Sequence, residues 1–234
     1  MYLYHTHGVY DIIISEITKI YPALADGTLN LTLASNAHYA LQLLEVIVTN
    51  RRLQEKFLEG NKPECVYQIF MREPTTKFEG LLRRDCLKVL DALALHTGLP
   101  VSKFFIDTKY LTLCVTLLKS KDLGEVETAL RTLKTFLHSP VGPDHVNENE
   151  LTLPWILEAL SCATTTVLKK SEAGTISTII MCYLKLAEDQ RSILYLPQMV
   201  HEDIWNGKLD NIIECHLKQF RRYLLIKVGH ADSL

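Results

Sequence analysis

LLRRDCLKVLDALALHTGLPVSKFF, residues 81–105, holds one full cycle of the pattern that decides the fold. Leu81, Cys86, Val89, Leu90 and Leu93 recur at the three- and four-residue spacing of an amphipathic helix. Thr97-Gly98 breaks that helix, Pro100 opens a short segment from Val101 to Ile106, and the bulky pair Phe104-Phe105 falls near its end. Upstream, Ala37, Ala40, Leu41, Leu44, Ile47 and Val48 form an equivalent stripe. There Asn50 caps a short helix whose Phe57-Leu58 pair lies 47 residues before Phe104-Phe105. Downstream, Val126, Ala129, Leu130, Leu133, Phe136 and Leu137 make a third stripe. The breaks at Asn50, Gly98, Pro140 and Asp189 step by 48, 42 and 49 residues; the helix centres Leu44, Leu90, Leu133 and Ile180 step by 46, 43 and 47. An all-helical period of about 40–47 residues marks armadillo and HEAT solenoids. The sequence therefore predicts an all-α, right-handed superhelical armadillo/HEAT-like solenoid of about five repeats. A single domain is expected over residues 1–228, with a tail at 229–234. Such stacks bind partners along an extended groove.

Element boundaries follow from local signals. The first helix is expected from Gly8 to Tyr21, stopped by Pro22 and followed by a turn at Asp26-Gly27. Ser35 or Asn36 is suited to cap the next helix, Gly60 to end the short one after it, and Pro63 to open a helix through Phe70. Ser139-Pro-Val-Gly-Pro-Asp-His145 reads as an irregular loop in place of the third short helix. Further helices are expected over Tyr110–Leu118, Trp155–Leu168, Ser177–Leu186 and Leu209–Ile226, the last burying Phe220 and Leu224.

The bulk composition narrows the function classes. Hydrophobic residues make up 47% of the 234 and charged residues 22%, which is ordinary for a folded globular chain. A formal charge of −2 gives no global attraction to nucleic acid or an anionic membrane. Six cysteines at 65, 86, 114, 162, 182 and 215 show no CxxC pair and lie mostly on apolar helical faces, so a reduced intracellular setting is expected. No signal-like or membrane-spanning run is evident, and a soluble, non-secreted protein is expected.

Catalytic signatures are missing from the sequence. The ten glycines are too dispersed for a phosphate-cradling loop, and GxSxG, HExxH and EF-hand spacings do not occur. His5-Thr6-His7 offers two imidazoles without a third ligand, and His201-Glu202-Asp203 reads as a surface turn. No catalytic, cofactor-binding or metal residues are assigned. Arg51-Arg52 and Arg83-Arg84 fall in successive repeats. They are either solvated helix residues or one basic groove for single-stranded nucleic acid or an acidic peptide. Tyr183 is either core or part of a pocket for an aromatic anchor.

Several segments occur in a telling order. His5-Thr-His-Gly8 precedes Ile17-Thr-Lys-Ile-Tyr21-Pro22; Ser35-Asn36 precedes Ala40-Leu-Gln-Leu-Leu44 and Phe57-Leu58; Phe78-Glu79 precedes Leu81-Leu82-Arg83. Phe104 to Thr108, Leu113-Cys114 and Cys182-Tyr-Leu-Lys-Leu186 with Arg191 follow. Across about residues 4–205 this series resembles the Caf-forty or Rcd-one-like cell-differentiation family, in an N-terminally shortened form. That family is the armadillo-repeat subunit of the eukaryotic Ccr-four–Not deadenylase complex. Met181 and Lys185 stand where the family pattern has arginines, and lysine loses the bidentate geometry of the guanidinium. The resemblance implies a non-catalytic adaptor in mRNA deadenylation, decay and translational repression, in the cytoplasm and also the nucleus. Its implied partners are the large Not scaffold subunit, short regulatory peptides with aromatic anchors, and a second copy in a homodimer. It also implies Tyr183, Lys185 and Arg191 as the peptide-binding residues.

Overall fold

The computed structural model describes residues 8–58, 63–95, 99–108, 110–148, 152–170, 173–206, 209 and 215–229. His5, His7, Gly60, Gly98, residues 210–214 of the expected last helix and most of the 229–234 tail lie outside them. Every described element is an α-helix, and the chain divides into two compact units, Met1–His96 and Thr97–Leu234.

The first unit contains α1 (Val9–Thr18), α2 (Tyr21–Asp26), α3 (Leu31–Val48), α4 (Arg51–Leu58), α5 (Glu64–Phe70) and α6 (Lys77–Leu93). Its core is the expected stripe of α3, with Ala37, Leu41 and Leu44 fully buried; α3 packs against α6, whose Leu82, Cys86 and Val89 are fully buried as well. Asn50 caps α4 by accepting the Arg52 amide at 3.1 Å. Two boundaries differ from expectation. Pro22 does not end the structure there; it occupies the first turn of α2, where its missing N–H has no helical partner to lose, and Gly27 closes that helix at φ 67°. The cap of α3 is Asn30, whose side chain accepts the Leu33 amide at 3.0 Å, so the helix starts before Ser35 and Asn36.

The second unit contains α7 (Leu99–Asp107), α8 (Tyr110–Leu118), α9 (Leu123–Leu137), α10 (Gly142–Glu148), α11 (Thr152–Leu168), α12 (Ala173–Leu186), α13 (Gln190–Met199), α14 (Glu202–Trp205) and α15 (Cys215–Lys227). Phe105 stacks on Tyr110 at 4.6 Å between ring centroids and meets Phe136 edge-on at 6.0 Å, joining α7, α8 and α9. The expected loop over 139–145 is instead the third short helix, α10. Pro143 lies in its first turn, and Ser139 Oγ accepts the Gly142 amide at 3.1 Å. Gly142 is required there, because a Cβ would sit 1.9 Å from the Phe136 carbonyl oxygen.

The repeat period reappears as hydrogen bonding. Tyr10 donates to the Leu53 carbonyl 43 residues on, Tyr21 to Cys65 at 44, and Arg72 to Leu24 at 48. In the second unit Thr175 donates to Glu127 across 48 residues. Residues one period apart are spatial neighbours, as stacked repeats require.

Candidate peptide-binding cleft

α12 turns Ile176, Ile179, Ile180, Cys182, Tyr183 and Leu186 into the core of the second unit. The same helical period leaves Met181, Leu184 and Lys185 half-exposed on its opposite side. α15 packs against α12, and its Leu224 and Leu225 are fully buried. Phe220 is 44% exposed and Tyr223 is 48% exposed, so neither belongs to that buried face. Between the two helices lies a cleft of about 480 Å³. Met181 and Leu184 supply one apolar wall, Phe220 and Tyr223 the other, and His138 and Lys185 reach its rim. His138 ends α9, where its Nδ1–H donates to the Lys134 carbonyl at 2.8 Å.

Lys185 separates this cleft from a smaller one of about 200 Å³. Leu137, Pro143 and Leu186 form the smaller cleft's apolar wall, and Asp144 and Asp189 supply carboxylates. The Lys185 ammonium is 2.6 Å from Glu188, which borders both clefts. Arg191 stands beside the smaller cleft, 3.4 Å from Asp189 and well exposed. Asp189 also caps α13 by accepting the Arg191 amide at 2.7 Å. Burial works against its charged form, but the bonds from Arg191 and the guanidinium charge outweigh that and lower its pKa.

Of the residues the sequence singles out here, Lys185 and Arg191 therefore reach the surface, whereas Tyr183 does not. The Tyr183 ring is fully buried, and desolvation raises its phenol pKa well above the ordinary value. Its hydroxyl faces Thr164 and the His201 backbone without completing a hydrogen bond among the described residues. The basic pairs of the first unit also divide. Arg83 lies over the Phe70 ring at 4.6 Å and donates to the Arg72 carbonyl at 3.0 Å, so it is committed to packing. Arg52 and Arg84 are exposed, and Arg51 is 3.9 Å from Glu55 on the same helix. His201 is a structural cap: Nδ1 accepts the Asp203 amide at 3.2 Å while Nε2 is 3.0 Å from Thr165 Oγ1.

The cysteines follow their packing. Burial pushes the Cys65 and Cys182 thiols up to about 12 and raises those of Cys86 and Cys114 as well, while Cys162 is exposed. Among the described residues no group of three His, Cys, Asp or Glu side chains is placed to hold a metal ion. No described helix is long and apolar enough to cross a membrane.

The model of the cell differentiation family, Rcd1-like, matches residues 1–228. The chain belongs to that family. This Rcd1-like chain is similar to the cell differentiation protein rcd1 of Schizosaccharomyces pombe, at 23% identity over 81% of this chain and 67% of that protein. It is also similar to protein CAF40 of Saccharomyces cerevisiae, at 25% identity over 80% of this chain and half of that protein. Among solved structures a designed armadillo repeat protein shares its fold with a TM-score of 0.52 and 9% identity, covering 92% of this chain and 99% of the designed one. The Rcd1-like chain is thus all-α and armadillo-like, as its sequence period predicts.

The cleft's second wall is not legible in the sequence. Phe220 falls on the apolar stripe of α15 and reads as core; Leu224 is buried as expected, but Phe220 is exposed and Arg221 is buried in its place. The only sequence signal was the run Phe220-Arg-Arg-Tyr223, where two aromatics flank two cations.

Proposed function

We propose that this Rcd1-like protein is a non-catalytic adaptor subunit of the Ccr4–Not type. On this reading residues 1–228 act as one repeat domain that docks onto the large Not scaffold subunit. The domain recruits regulators of mRNA deadenylation, decay and translational repression through short peptides, in the cytoplasm and nucleus. The observation that carries the reading is the family match across residues 1–228. The cleft supports it, since an apolar concavity with a few polar groups at its rim suits an anchored peptide. Lys185 and Arg191 are the surface residues we assign to peptide contact, with Tyr183 supporting α12 from beneath.

Affinity purification from the source cell followed by mass spectrometry tests the proposal. Recovery of the Not scaffold and deadenylase subunits is the expected result. Consistent recovery of an unrelated assembly without them overturns it.

A further inference from the structure

We propose that the cleft between α12 and α15 selects acidic peptides that insert one large apolar side chain. This deepens the adaptor reading and rests on it. The walls already described are aliphatic on one side and aromatic on the other, and they enclose a single concavity. What surrounds it is cationic. Arg131 and Lys134 precede His138 by seven and four residues, which places all three on one face of α9. Lys185 stands on the rim from α12. On α15 the Lys227 ammonium lies 5.5 Å from the centre of the Tyr223 ring, and Arg222 is exposed beside it.

Against these, Glu188 is the one carboxylate lining the cleft among the described residues, and Lys185 already pairs with it at 2.6 Å. A ligand entering here meets a positive potential around an apolar floor. Charge of the opposite sign on the ligand speeds encounter and disfavours basic competitors. A nucleic acid would share the attraction to the cations. Phe220 and Tyr223 could also stack a base, but the cleft is a single concavity rather than a groove that tracks successive phosphates, which favours one anchored side chain over a strand.

Fluorescence anisotropy on the full chain provides the test. The probes are two short synthetic peptides with one central tryptophan, flanked by glutamates in one and lysines in the other, and a labelled oligouridylate. The acidic peptide is expected to bind at least about tenfold more tightly than the basic one, and less tightly as salt is raised. Tyr223→Ala is expected to weaken it about tenfold. Lys185→Glu with Lys227→Glu is expected to narrow or invert the preference by about fivefold, with an unchanged circular dichroism spectrum and Tm confirming the fold.

Equal affinity for the two peptides, indifference to the charge reversal in a folded protein, or tighter binding of the oligouridylate overturns the inference. If Not subunits co-purify while the acidic peptide fails, this inference falls and the adaptor reading stands. If the acidic peptide binds while Not subunits are absent from the purification, the adaptor reading falls and the selectivity of the cleft stands.

Discussion

Tyr183 lies in the segment we assign to peptide contact, yet its own role is structural. Its ring fills the interior below Lys185, and its hydroxyl is buried without a hydrogen bond among the described residues. Leaving a buried polar group unbonded costs about 1–3 kcal/mol, whereas the ring itself fills space that truncation would empty. Tyr183→Phe is therefore expected to leave stability unchanged or raise it by about 1 kcal/mol, and Tyr183→Ala to lower it by about 3–5 kcal/mol. Urea denaturation at constant m-value reads both changes. Peptide affinity in Tyr183→Phe should match the parent, because the atom removed does not reach the surface. A marked loss of stability in Tyr183→Phe would show that the hydroxyl has a partner in the folded state.

Helix termini decide how the repeats are punctuated, and α6 has the clearest one. Thr76 caps it by accepting the Glu79 amide at 3.2 Å, and Glu79 returns to accept the Thr75 amide at 2.7 Å. That backbone bond is the main reason the Glu79 carboxyl is held below the usual glutamate range. A carboxyl whose folded value is lowered stabilises the fold above its unfolded value and loses that contribution as pH falls through the folded value. Glu79→Ala is expected to cost about 1 kcal/mol near neutrality and almost nothing in acid, so stability curves of parent and variant converge as pH falls through the lowered folded value. Parallel curves across that range would remove the capping role.

The long stripes of α3, α6 and α9 are legible in the sequence, because those signals are local and periodic. Apart from the α3 cap, the misread elements turn on proline or on a choice between faces. Pro22 and Pro143 look like terminators, and only their position in a first turn, with Gly142 packed on the Phe136 carbonyl, shows them to be starters. Phe220 reads as core because periodicity gives a stripe but not which of two adjacent stripes meets the neighbour. That depends on α12, which is remote in sequence.

At the scale of the whole molecule the sequence period is also a map of mechanical neighbours. His38 on α3 meets Asp85 on α6 at 2.6 Å, 47 residues away, and Asp85 is almost fully buried with Lys88 its next cation at 3.5 Å. Removing the imidazole leaves a buried carboxylate short of a partner, which costs about 3–5 kcal/mol for a fully buried pair and about 2–3 kcal/mol here, since His38 is 22% exposed. In a stack of repeats that loss should fall on the elements sharing the interface, because each repeat draws its stability from its own packing and its nearest neighbours. His38→Ala is therefore expected to speed amide exchange in α3 and α6 by roughly thirtyfold or more. Amides of α11 and α12, more than one period further along the chain, should change less than about threefold. Hydrogen exchange read by mass spectrometry on peptides from both units separates the outcomes. Acceleration confined to the first unit marks repeat-by-repeat stability, while an equal rise in α12 shows that the armadillo-like chain opens as one cooperative body.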